Sequence, residues 1–152
     1  MVSKGNSILV TGATGLVGSQ LCKELLRRGY SVHALSRSKK KMEGCTCFLW
    51  DIEAREIDPK AFEGVSAIIH LAGAGVGDRR WTRRYKQQIY DSRIESTRLL
   101  INTLKTIDHN VISFISASAV GYYDDNGSEW ITEDAPMAEE FIARLCRDWE
   151  SE

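Results

Sequence analysis

Three glycines spaced by three, Gly12, Gly15 and Gly18, follow directly on an apolar run over residues 6–10 and open an amphipathic stretch over 15–28. A strand that enters a helix through such a turn constrains the fold more than any other feature of the chain. The first glycine permits a tight turn, the second lets backbone approach a ligand closely, and the third lets the helix pack tightly. The helix start adds amide donors and a partial positive charge, which together suit a phosphate group. The alternative is a plain structural turn. The strand before it and the helix after it favour a pyrophosphate site.

The rest of the chain repeats the alternation. Strands are predicted over 30–36, 45–50, 67–71 and 111–116, and helices over 81–104 and 139–152. The run at 67–71 is almost continuously apolar, as in strands covered on both faces. Strands separated by helices imply parallel pairing with right-handed crossovers. The expected fold is therefore an α/β, Rossmann-type doubly wound parallel sheet of order 3-2-1-4-5, with residues 1–152 forming one dinucleotide-binding domain. At 43% apolar and 27% charged, the 152 residues suffice for one buried core. A net charge of −1 gives no field that would favour nucleic acid or an anionic membrane. No apolar run approaches the roughly 20 residues of a membrane span. Cys22, Cys45, Cys47 and Cys146 form no Cys-x-x-Cys pair. They read as buried thiols of a cytoplasmic protein rather than as a metal or redox site.

Two further stretches bear on ligands. Ser36 and Arg37 close the second strand, with Lys39 to Lys41 beyond them. Sites that prefer NAD place Asp or Glu here; a cation with hydroxyls suits the extra phosphate of NADP. Arg37 is the candidate, and the lysines read as a solvated loop. A glycine-rich loop over 73–77 leads to Arg79, Arg80 and Trp81, at the end of the sheet where ligands of open α/β folds bind. Two guanidiniums there suit an anionic small-molecule substrate, and Trp81 suits a ring. The alternative is a buried Trp81 with the arginines in surface ion pairs.

The series Thr11-Gly12-Ala13-Thr14-Gly15-Leu16-Val17-Gly18, His70-Leu71-Ala72-Gly73, Ser116 to Tyr123 and Thr132-Glu133-Asp134-Ala135-Pro136 resembles that of extended short-chain dehydrogenases/reductases. Arg80-Trp81-Thr82, Ser92-Arg93 and Leu145-Cys146-x-x-Trp149-Glu150 narrow the resemblance to an atypical, epimerase/dehydratase-like subgroup. It implies a cofactor, NADP (NADPH), held by Gly12, Thr14, Gly15, Leu16, Val17, Ser36, Arg37, Asp51, Leu71, Ala72 and Gly73. It implies Ser118 as the group that hydrogen-bonds the reacting carbonyl or hydroxyl, with Tyr122 beside it as an acid or a pocket wall. It also implies that these residues are the N-terminal portion of a longer chain.

The departures from the family pattern are as telling. No Tyr-x-x-x-Lys occurs, and alignment on Glu150 puts Ile142 and Cys146 in those places. Arg93 stands where the family's long helix carries Asn. The leading reading is an NADP-binding oxidoreductase or epimerase-like enzyme of unidentified substrate. The alternative is a non-catalytic NADP-binding sensor or interaction protein. Were 111–116 an edge strand, its Val111, Ile112, Phe114 and Ile115 would favour a homo-oligomer through the exposed sheet edge.

Overall fold

The computed structural model describes residues 7–38 and 41–152. Asn6, Lys39 and Lys40, which fall in the predicted first strand and the basic loop, lie outside them. The chain divides into two compact units, Met1–Ala117 and Ser118–Glu152.

The first unit contains β1 (Ser7–Thr11), α1 (Leu16–Arg27), β2 (Ser31–Ser36), β3 (Cys45–Asp51), β4 (Glu56–Ile57), β5 (Val65–His70), α2 (Arg83–Leu104) and β6 (Ser113–Ser116). One sheet holds all six strands in the order β4-β3-β2-β1-β5-β6. Every pairing is parallel except β3 with β4. The parallel part has the order expected from the sequence; the two-residue antiparallel β4 was not foreseen.

Alternation along β1 explains why both faces are dry. Leu9 packs into one cluster with Leu35, Ile68 and with Leu99 and Leu100 of α2. Ile8 and Val10 point the other way, onto Cys22 and Leu25 of α1. Helices on both faces leave no wet side, so the strand reads as an unbroken apolar run. The short helical turn Pro59–Phe62 adds Ala61 and Phe62 to the first cluster. Asp58 begins that turn, its carboxylate accepting the Lys60 amide at 3.0 Å.

Only part of the apolar spacing of α1 faces the core. Gly18, Cys22 and Leu25 are buried, whereas Leu16 is 88% and Val17 66% exposed. Those two residues lie in the first turn of the helix, outside its core stripe. Cys45 and Cys47 are half-buried against Cys22, whose thiol is pushed up to about 12 by burial and then by these neighbours. Such a thiol is a packing group rather than a nucleophile. β6 is the edge of the sheet, with Ile112 and Ile115 exposed. Val111 and Phe114 keep their cover against the first cluster, against the sequence expectation for them.

The second unit holds a helical turn, Val120–Tyr122, and α3 (Phe141–Ser151). α3 buries Ala143, Leu145, Cys146 and Trp149. Tyr123 pairs with Met137 in an isolated antiparallel bridge. No helix among the described residues is long and apolar enough to cross a membrane.

Candidate functional site

Strand register brings the site together. Thr11 is level with Leu35 on one side and His70 on the other. His70 is level with Ser116, and Ser36 with Leu49. The residues just past these points, Gly12, Arg37, Leu71 and Asp51, thus share the carboxyl end of the sheet on strands about 4.8 Å apart. Thr11 and His70, 59 positions apart in sequence, become neighbours through register alone.

The turn after β1 is closed by the Gly15 amide donating to the Gly12 carbonyl at 2.9 Å. Gly12 has φ +66°, and a Cβ there would stand 2.7 Å from the Leu71 carbonyl oxygen. A Cβ on Gly18 would overlap the Gly12 carbonyl oxygen, so α1 reaches the turn only because Gly18 has no side chain. The first intrahelical bond of α1 runs from the Ser19 amide to the Gly15 carbonyl. No side chain caps the helix start, and its first turn carries no acid. Among the described residues the Leu16 and Val17 amides therefore have no partner, and Thr14, Gly15, Leu16 and Val17 are exposed around them. Amide donors at the positive end of a helix, with glycine backbone close by, fit the pyrophosphate of a dinucleotide.

A buried polar chain locks this turn to the next loop. The Leu71 and Ala72 amides both donate to Thr11 Oγ1, at 3.1 Å each. The hydroxyl's own proton then goes to His70 Nδ1, 2.6 Å away. His70 is consequently the neutral tautomer with its proton on Nε2, facing Ser96 Oγ at 3.2 Å. Ser96 in turn donates to the Ser92 carbonyl at 2.7 Å. His70 is fully buried, and its pKa is pushed down to about 4 by desolvation and then by the Arg93 charge. Sequence reasoning used His70 only as part of a motif; its partners lie 59 residues before it and 26 after.

The remaining cofactor-side residues differ in what they have free. Arg37 is exposed at the end of β2. Ser36 Oγ accepts the Ser38 amide at 3.3 Å. Asp51 Oδ1 accepts the Ala54 amide at 2.9 Å, so this carboxylate already caps a turn. Gly73 lies against Arg93, where a Cβ would meet the guanidinium carbon at 2.9 Å. Arg93 donates to the carbonyls of Ala74 at 3.0 Å and Ile89 at 3.1 Å. Ser92 Oγ accepts the Ala74 amide at 2.9 Å, and Tyr85 donates its phenol to Gly75 at 2.6 Å. The residue that replaces the family Asn thus helps α2 hold the glycine-rich loop. Trp81 is 42% exposed, and its indole donates to the Val76 carbonyl at 2.7 Å.

In the second unit, Ser118 donates to Glu150 Oε1, a partner the sequence reading overlooked. Ile142 sits where a Cβ on Gly121 would be 2.6 Å from its Cγ2, and the Cys146 thiol is buried against the Ala119 carbonyl. The places that the resemblance gives to Tyr and Lys are packing positions in this chain. The Tyr122 and Tyr123 rings meet edge to face at 5.1 Å. Tyr123 is pushed up by desolvation and then by Glu133 and further neighbours, which opposes ionisation near neutral pH.

Similar proteins agree with this geometry. The model of the NAD dependent epimerase/dehydratase family matches residues 8–143. The epimerase family protein Mb2239 of Mycobacterium bovis is 33% identical over 144 residues, which is 95% of this chain and 46% of that protein. The human epimerase family protein SDR39U1 (isoform 2), solved with NADPH, superposes with a TM-score of 0.79 at 28% identity, over 95% of this chain and 48% of that one. A short-chain dehydrogenase/reductase superfamily protein of Agrobacterium tumefaciens, solved with NAD, gives 0.74 at 24% identity, over 95% and 43%, and supports the fold alone. The chain spans about half the length of these relatives. With a Rossmann-type sheet, a glycine turn that opens an uncapped helix and a family match over most of its length, the chain belongs to the NAD dependent epimerase/dehydratase family.

Proposed function

We propose that this chain binds NADP and serves an oxidoreductase or epimerase-like enzyme acting on a small molecule. The observation that carries the reading is the uncapped start of α1, with its free Leu16 and Val17 amides beside Gly12, next to an exposed Arg37 and no acid at the end of β2. The amides, with Thr14 and Gly15, take the pyrophosphate. Arg37 and the Ser36 hydroxyl take the 2′-phosphate. Leu71, Ala72 and Gly73 supply backbone along the ribose. NADPH in the human relative accords with this choice. The bound nicotinamide supplies hydride chemistry. On the protein side, the Ser118 hydroxyl with the Glu150 carboxylate is the group that receives or returns a proton, and Tyr122 stands near it in sequence. Asp51 accepts the Ala54 amide through one carboxylate oxygen, and its other oxygen is left to face the cofactor. Four free cysteines fit a reducing compartment such as the cytoplasm.

Cofactor titration tests the reading. NADPH should bind at least about tenfold more tightly than NADH, and Arg37→Ala should remove that preference while leaving NADH affinity alone. Equal affinities in the unaltered chain refute the assignment.

Exposed Ile112 and Ile115 at the β6 edge also favour pairing of two copies. Light scattering of the 152-residue chain should show self-association that Ile115→Lys abolishes. A monomer at every concentration speaks against it.

A further inference from the structure

We propose that a cleft at the start of α2 is an anion-binding subsite that takes the phosphate of a phosphorylated organic substrate. This deepens the reading of the same sheet end as a cofactor-dependent site, and it rests on that reading. Arg79, Arg80, Thr82, Arg84, Tyr85 and Gln88 line the cleft, which has a volume of about 440 Å³. That is room for a phosphate and a small organic body. Three of the six lining residues are arginines, and none is an acid. Among the described residues, Arg79, Arg80 and Arg84 make no ion pair with a carboxylate. The expected alternative, surface ion pairs, is therefore not what holds them.

The buried Tyr85 forms the floor of the cleft. The Arg79 guanidinium lies 5.9 Å from the centre of the Tyr85 ring. Tyr85 is buried, with its phenol held by the Gly75 carbonyl at 2.6 Å. The Thr82 amide donates to the Arg80 carbonyl at 2.8 Å, and Thr82 Oγ1 caps the Tyr85 amide at 3.2 Å. The three guanidiniums are exposed around this floor, and each can fork onto phosphate oxygens.

Charge placement points the same way. The chain as a whole carries a net charge of −1, so this concentration of cations is local. It falls at the positive end of a 22-residue helix whose first turn has no acid. Each cation near that end opposes the helix dipole. Residues that break a local rule without compensation within the fold mark functional places, and a dianion in the cleft would supply the compensation. Three guanidiniums suit a phosphate dianion better than a single carboxylate. The loop that carries Arg79 and Arg80 begins at Leu71, whose carbonyl lies against Gly12. The phosphorylated molecule would therefore enter at the end of the sheet where the dinucleotide turn lies.

Phenyl phosphate is the probe, titrated by calorimetry at constant ionic strength with NADPH saturating. Benzoate and anisole serve as the singly charged and uncharged comparisons. Saturable binding of phenyl phosphate, at least about tenfold tighter than benzoate, is expected. The triple variant Arg79→Gln/Arg80→Gln/Arg84→Gln should weaken it about thirtyfold or more, with circular dichroism and NADPH affinity unchanged. Equal binding in the triple variant, displacement of the probe by NADPH, or a response that only tracks ionic strength overturns the proposal. The two readings fail separately. Arginine-dependent phosphate binding in a chain that ignores NADPH keeps the cleft and sinks the cofactor assignment. NADPH binding without phosphate binding does the reverse.

Discussion

A Gly12→Val chain is expected to lose NADPH affinity by about a hundredfold or more. At φ +66° an L-residue is strained, and a Cβ would stand 2.7 Å from the Leu71 carbonyl oxygen, which is backbone and cannot swing away. The left-handed conformation costs about 1–2 kcal/mol, and the overlap about 1–3 kcal/mol more. The turn therefore shifts, and the Leu16 and Val17 amides no longer converge on one anion. The chain should also melt about 5–15 °C lower, so affinity must be measured well below that midpoint. On the motif alone, this substitution would be expected to spare the fold. The contact with Leu71 shows that turn and loop share the damage. Gly12→Ala should fall between the two chains. An undiminished NADPH titration in folded Gly12→Val would place the phosphates elsewhere.

Acid should weaken the fold through His70. The unfolded imidazole titrates at 6.5, while burial among Thr11, Ser96 and the Phe114 ring, with Arg93 adding its charge, pushes the folded one down to about 4. The folded state thus prefers neutral His70. Its stabilisation is complete above pH 6.5 and is lost as pH falls toward 4, where the unfolded chain binds a proton that the native chain refuses. Each unit of separation is worth about 1.4 kcal/mol, so the loss amounts to about 3 kcal/mol. Protonation also puts a second donor on Nδ1, opposite the Thr11 hydroxyl proton. His70→Asn keeps an acceptor for Thr11 without the titration. The stability advantage of the unaltered chain over His70→Asn should therefore shrink between about pH 7.5 and about pH 4.5. A gap that stays constant over that range contradicts the assignment.

What the sequence made legible follows from range. The glycine turn, the second strand with Arg37 and the apolar β5 are local patterns, and each falls in place within two residues of its expected bounds. β4 was invisible because two residues, Glu56 and Ile57, carry no periodicity. Leu16 and Val17 are apolar yet exposed, because helical spacing says which residues share a face and not whether that face meets a core. The Thr11–His70–Ser96 chain and the Ser118–Glu150 pair needed partners that only strand register and helix docking bring together. Arg93 showed in the sequence only as a departure from the family's Asn; its bond to the Ala74 carbonyl ties α2 to the glycine-rich loop.

Because Thr11 Oγ1 takes both the Leu71 and the Ala72 amide, parting that loop from β1 breaks two hydrogen bonds to one buried residue at once. Those two amides should exchange with solvent deuterium at the rate of global unfolding, not of local breathing.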